Sequence, residues 1–330
     1  MRGITRLAVA LLSALVAQIP AEAAAPAATV SPLPVIIDTD VGDDIDDAFA
    51  LVIALKDPRL EVIGVTTAWG DTRTRTLLVR RLLTTLGRED VVVAQGPATA
   101  NKVPFTQKKW ALGALDTSPA PDAIEFMRGQ THKRPGKITL IALAPLSNIE
   151  ALARRDLEAL REFRQVVMMG GSIHAGYNQG GAVPNTEPSA EYNVASAPGG
   201  LVALLQSKVA VRMFPLDSTQ IKFDEVRRDR LFAYGSPASD ALALLYHQWR
   251  LLNSWGQITP TLFDVVPVTW LLEPSTCPVT ALRIDVDARG FTRPVSGASN
   301  VEACLTLHEE ATQRLIMSAL APLETTRSAQ

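Results

Sequence analysis

The chain is poor in several things, and each shortage excludes something. It has only two cysteines, Cys277 and Cys304, in 330 residues. That is too few for a disulfide framework or a cysteine-rich metal module. The two could pair in an oxidising compartment or stay free in a core, and spacing does not decide between these. Only four histidines occur, and none lies in the acidic segment discussed below. Zinc chemistry there lacks its usual ligands. Aromatics make up 5% of the chain, so the apolar content is mostly Ala, Val and Leu, suited to buried strands and covering helices. Net charge is −2 with no long basic run, which argues against a nucleic-acid partner. After the first two dozen residues no apolar run reaches 18 residues, so membrane insertion of the remainder is not expected.

Those first residues are different. Arg2 and Arg6 precede an apolar run, Leu7 to Ile19, and small residues follow at Ala21 and Ala23. This pattern predicts a secretory signal peptide over residues 1–23, an Ala/Pro linker over 24–33 and one domain over 34–325. A secreted or periplasmic location follows as an expectation.

From Val35 onward, strand-like and helix-like segments alternate. "VIID" reads as a strand and Asp47–Leu55 as a helix. Leu60–Gly70, Val91–Gly96, Ile138–Ile149 and Gln165–Gly171 read as further strands. Arg73–Leu86 and Ile149–Leu160 read as helices. The alternation predicts an α/β fold: an open, mainly parallel, Rossmann-like sheet with helices on both faces. Two long irregular stretches, 97–123 and 172–188, are expected at the carboxyl edge of the sheet, where ligands bind in such folds.

Six aspartates occupy ten positions directly after the first strand: Asp38, Asp40, Asp43, Asp44, Asp46 and Asp47. Helix-start preference accounts for Asp43, Asp44 and Asp46 around the turn at Gly42. It does not account for Asp38 and Asp40, which project together from the end of a buried strand. Converging carboxylates of this kind suit a hard divalent cation, Ca²⁺ or Mg²⁺.

The segment "DTDVGDDIDDAFAL" resembles the N-terminal signature of the Ca²⁺-dependent nucleoside hydrolases, with Val41 in place of the usual Pro and a loop two residues longer. "GVTTAWGD" (64–71), "LIALAPLSNI" (140–149), "VVMMGGS" (166–172), "NTEPSAEYN" (185–193) and "LFDVVPV" (262–268) resemble that family's later motifs in the same order. The resemblance implies cleavage of the N-glycosidic bond of a small-molecule ribonucleoside, with Ca²⁺ as cofactor and a homodimer or homotetramer as the assembly. It places Asp40, Asp47, Asp264 and the carbonyl of Leu143 on the ion. Asp40 would also take the proton of the metal-bound water. Asp46, Asp71, Asn185, Glu191 and Asn193 would bind substrate, and Asp38 would support from behind. Asp43 and Asp44 receive no role beyond the turn and the helix start.

The chain departs from the family at the leaving base. Phe263 stands where inosine-uridine enzymes carry a proton-donating His, and Asp71 stands in place of Asn. Candidates for stacking on a base are Trp69, Trp110, Trp255, Tyr177, Tyr246 and Phe263, with Trp110 and Trp255 foremost because they fall in or near loops, though core or rim packing is the commoner role for each. His174 and His247 are candidate acids, though a packed or surface role is the commoner one. Two other readings compete: a phosphatase using Asp38 as nucleophile with Mg²⁺, which leaves 185–193 unexplained, and a non-catalytic or weakly active calcium- and ribose-binding protein on the same scaffold.

Overall fold

Eight strands form the central sheet of the computed structural model, which describes residues 31–178 and 185–323. The proposed leader and most of the linker lie outside the described residues, as does the very end of the proposed domain. In chain order the strands are β1 (Leu33–Thr39), β2 (Leu60–Thr67), β3 (Val92–Gln95), β4 (Thr139–Ala142), β5 (Gln165–Met169), β6 (Val211–Phe214), β7 (Val279–Leu282), β8 (Ile284–Val286), β9 (Thr292–Pro294) and β10 (Val301–Cys304). Their order across the sheet is β3-β2-β1-β4-β5-β6-β10-β7, and β8 pairs with β9 in a separate hairpin. All neighbours in the large sheet are parallel except the edge strand β7, which runs antiparallel to β10.

The alternation of side chains along β1 shows why both faces are covered. Val35 and Ile37 join one apolar cluster, and Ile36 joins the other. Leu140 and Ile141 of β4 divide in the same way. A strand buried on both faces needs a continuous apolar run, and "VII" supplies it.

The chain leaves β1 toward β2 and β3 on one side, then crosses to β4 on the other. That reversal opens a crevice at the carboxyl ends of β1 and β4, the preferred ligand position in such sheets. Asp38, near the end of β1, is flanked by Thr66 of β2 and Ala142 of β4.

Several elements differ from the sequence pattern for physical reasons. The first helix, Asp46–Lys56, is buried on all sides from Asp46 to Leu55 rather than amphipathic. It is enclosed by the helices Pro237–Leu252, Val265–Leu272 and Glu309–Leu320. The segment 138–149 is strand only to Ala142, after which Pro145 helps turn the chain into the helix Ser147–Arg155. The expected helix 149–160 breaks at Asp156, whose carboxylate caps the short helix Leu157–Arg161 by accepting from the Ala159 N–H. Cys277 and Cys304 form a disulfide that ties the end of β10 to the segment following Val265–Leu272. Among the described residues no helix is long and apolar enough to cross a membrane.

Candidate active site

The site starts from β1. Asp38 is fully buried, and its Oδ1 accepts hydrogen bonds from Thr66 Oγ1 at 2.6 Å and Asn148 Nδ2 at 2.7 Å. Its Oδ2 is buried with no partner. Burial pushes its pKa up to about 6, against the pull of those two donors. Asp38 thus anchors the strand ends behind the site.

Asp46 and Asp47 open the helix Asp46–Lys56, where the helix dipole favours negative charge. Asp264 arrives from the far end of the chain, directly before the helix Val265–Leu272, which packs on Asp46–Lys56. One carboxylate oxygen each from Asp46, Asp47 and Asp264 can be chosen so that all lie within 4.8 Å of one another, and all three residues are buried. Thr39 Oγ1 donates to Asp47, and the Asp264 N–H donates to Asp46. Burial raises the pKa of Asp46 and of Asp264 well above the usual carboxylate range, and their neighbouring aspartates raise it further. Asp47 is raised by burial to about 6.

Asp40 is buried beside this trio but outside it. Burial and the charge of Asp47 push its pKa well up, and Arg75 opposes the shift. The sequence motif places Asp40 on the ion and Asp46 on the substrate, whereas the structure draws Asp46 into the tight group of carboxylates.

The trio fits a divalent cation on its own geometry. Ca²⁺ binds oxygen at about 2.3–2.6 Å, so oxygens on one ion stand no more than roughly 5 Å apart. Three buried carboxylates within 4.8 Å meet that limit. The cluster could hold a metal ion.

The remaining predicted residues take the following places. The Leu143 carbonyl, just beyond β4, accepts from Asn193 Nδ2 at 2.7 Å and retains its second lone pair. Glu191 is almost fully buried. Its carboxylate accepts from the N–H groups of Gly171, Asn193 and Val194, capping the helix Tyr192–Ser196. Asn185 is half-buried, and its Oδ1 accepts from the Glu187 N–H. Asp71 is exposed at the start of the helix Thr72–Leu86, with both carboxylate oxygens engaged by Thr74. Burial works against its charge, but the Thr74 bonds hold its pKa below the ordinary value.

Some expectations need correction. Asp43 is not a passenger of the loop: it forms a buried ion pair with Arg75 at 2.7 Å and also accepts from Asn101 Nδ2 at 2.6 Å. Asp44 is half-buried, with its pKa raised by burial to about 7, and its carbonyl accepts from Gln107. Trp110 is no base-stacking group, since it is buried in the core with Arg81 over its ring. His174 and His247 are both exposed. Phe263 is half-buried with its ring edge-on to Tyr177, the centroids 6.2 Å apart.

Residues that the motifs do not flag also build the site. Gly42 has φ +127°, and an added Cβ would meet the Phe105 ring at 2.1 Å, so only glycine fits this turn. Arg75 is wholly buried and reaches under the aspartate loop. Its signal was present in the sequence: Arg75 falls in line with Leu78, Val79 and Leu82, and a charge on an apolar helix stripe needs a buried partner.

A doubly covered parallel sheet with buried carboxylates at its switch point defines an α/β protein with a candidate metal site. The inosine-uridine preferring nucleoside hydrolase model matches residues 35–315, and the chain belongs to that family. It is 31% identical over 278 residues to the pyrimidine-specific ribonucleoside hydrolase RihA of Citrobacter koseri, covering 78% of this chain and 85% of the relative. The RihA of Salmonella schwarzengrund is 30% identical over 277 residues, with the same coverage. Among solved structures, the plant nucleoside hydrolase PpNRh1 superposes with a TM-score of 0.75 at 23% identity, covering 88% of this chain and all of the other. A purine-preferring ribonucleoside hydrolase from Gardnerella vaginalis gives 0.73 at 19% identity, covering 87% and 98%.

Proposed function

We propose that this protein is a Ca²⁺-dependent ribonucleoside hydrolase that splits the N-glycosidic bond to free base and ribose. The observation that carries the reading is the buried trio Asp46, Asp47 and Asp264 at the sheet's switch point. Together with Asp40 and the Leu143 carbonyl, it offers an all-oxygen donor set of the type Ca²⁺ takes. Those residues would hold a divalent cation, whose positive charge would acidify an attacking water and favour ribose hydroxyls nearby.

Asp40, buried beside the trio, accepts the proton of the attacking water. The water oxygen bonds to the anomeric carbon while the bond to the base nitrogen breaks, and its electron pair leaves with the base. The sugar passes through an oxocarbenium-like state, and the surrounding carboxylates stabilise its positive charge. Asn193 and Glu191 fix the segment facing β4, through Leu143 and Gly171, and so shape the ribose side. Phe263 cannot protonate a leaving base, so bases that leave readily are favoured over those needing a full proton transfer.

We also propose that the protein works outside the cytoplasm, after removal of residues 1–23. The Cys277–Cys304 disulfide supports that placement.

The test is a panel of purine and pyrimidine ribonucleosides incubated with purified protein, with Ca²⁺ and with a chelator. Free base released only with Ca²⁺ is the expected result. Thermal stabilisation by nucleosides with no turnover would instead favour a binding protein on this scaffold.

A further inference from the structure

We propose that Arg75 is a positioning residue for Asp40, so that one buried guanidinium sets the rate of hydrolysis by fixing the backbone from which that carboxylate projects. The proposal rests on the hydrolase reading above. Arg75 has no exposed surface. Its Nη1 donates to the Asp40 carbonyl, to the Val41 carbonyl at 3.0 Å and to Asp43 Oδ1 at 3.1 Å. Its Nη2 donates to Asp43 Oδ2 at 2.7 Å. Its Nε donates to the Trp69 carbonyl at 2.7 Å.

An ion pair kept only for stability would need the two bonds to Asp43. Here the same fork also grips consecutive peptide carbonyls at Asp40 and Val41, which restrains the backbone torsions that aim the Asp40 side chain. The third grip, on Trp69, matters because Trp69 sits at φ +62°, a left-handed conformation that a bulky residue adopts at a cost. Its indole N–H then donates to Tyr192 Oη at 3.1 Å, next to Glu191 and Asn193. One side chain thereby joins the aspartate loop on β1 to the turn after β2.

Asp43 supplies the counter-charge that makes a buried guanidinium tolerable. The centre of the Phe105 ring lies 5.0 Å from the guanidinium carbon, and Asn101 Nδ2 donates to the same Asp43 Oδ2 that Arg75 Nη2 holds. A lysine could not replace Arg75, because its one nitrogen ends a bond short of Nη1, away from the Asp40 and Val41 carbonyls, and it has no further nitrogens for the Trp69 carbonyl and the second Asp43 oxygen.

The experiment compares wild type, Arg75→Lys and Asp43→Asn, all loaded with Ca²⁺, on the nucleoside that wild type cleaves fastest. Each variant is measured for kcat, KM, Ca²⁺ affinity by calorimetry and melting temperature, and Arg75→Lys is crystallised with Ca²⁺. Positioning predicts that Arg75→Lys loses at least about thirtyfold in kcat, the scale on which misplacement of a reacting group is felt. At saturating Ca²⁺ KM stays within about threefold, Ca²⁺ affinity falls because Asp40 belongs to the donor set, and the Asp40 carboxylate is displaced from its wild-type place. Asp43→Asn, which leaves both carbonyl bonds available, loses less than fivefold in kcat. An unchanged kcat per folded, Ca²⁺-loaded Arg75→Lys molecule overturns the proposal, as does an unmoved Asp40. Equal losses in the two variants also overturn it, since charge pairing alone would then suffice. Absence of any turnover by wild type would reject the hydrolase reading, and the position of Asp40 in the Arg75→Lys crystal would still decide the role of Arg75.

Discussion

The backbone N–H of Asp264 lies 3.3 Å from Oδ2 of Asp46, joining two residues 218 positions apart. The bond brings the end of one helix-entry loop onto the start of another helix and completes the carboxylate trio. Acidic side chains packed so closely oppose folding when no cation is present. Asp264→Asn should therefore raise the stability of the cation-free protein by about 1 kcal/mol while weakening Ca²⁺ binding by roughly a hundredfold. Melting in chelator and calorimetric titration with Ca²⁺ check both halves. A variant less stable in chelator than wild type would contradict the repulsion argument.

The same crowding gives a pH dependence with a definite sign. Asp38 and Asp47 have folded-state pKa values of about 6 against an ordinary value of 3.8, with burial the main cause. Between these values the folded chain binds more protons than the unfolded chain. The stability that these two carboxyls contribute is fully present below roughly pH 4 and is lost as pH rises through about 6. A bound cation takes over the role of those protons. The gain in melting temperature on adding Ca²⁺ should accordingly be larger at pH 8 than at pH 5. An equal gain at both would contradict the assignment.

Phe263 stands directly before Asp264, with its ring against Tyr177. Replacing it with histidine would set a group with an ordinary pKa near 6.5 beside the site. Phe263→His should raise kcat on inosine or uridine by at least about tenfold, with the gain fading above pH 7. Steady-state rates across pH check this. No gain would show that another group already protonates the base.

The disulfide closes a 27-residue separation between Cys277 and Cys304. Its loss should cost about 3 kcal/mol of stability, chiefly by freeing the unfolded chain. Melting of Cys277→Ser, Cys304→Ser and the double variant measures it. The double variant should be no worse than either single one.

Local features were the most legible part of this chain. The run "VII" before Asp38 predicts a strand buried on both faces, and Asp46 and Asp47 predict a helix start, because each signal is carried by adjacent residues. Asp264 was legible only through its family motif, since nothing near it in sequence marks it as part of a site. The capping role of Glu191 was hidden because its partners Asn193 and Val194 are neighbours while Gly171 comes from another strand end. Arg75 was missed although its place on an apolar stripe was visible, because its acceptors on the aspartate loop lie more than 30 residues earlier. Trp110 takes the packing role that is commoner for such a residue, buried with Arg81 over its ring, and its place near a loop gave no sign of that burial.

The central claim is that Asp40 takes the proton of the attacking water in a cation-dependent hydrolysis. The most direct measurement is single-turnover base release by Asp40→Asn with saturating Ca²⁺, its folding checked by melting and its cation loading by calorimetry. The account predicts a fall of at least about a thousandfold in rate in a folded, Ca²⁺-loaded protein. A rate within tenfold of wild type under those conditions would contradict it.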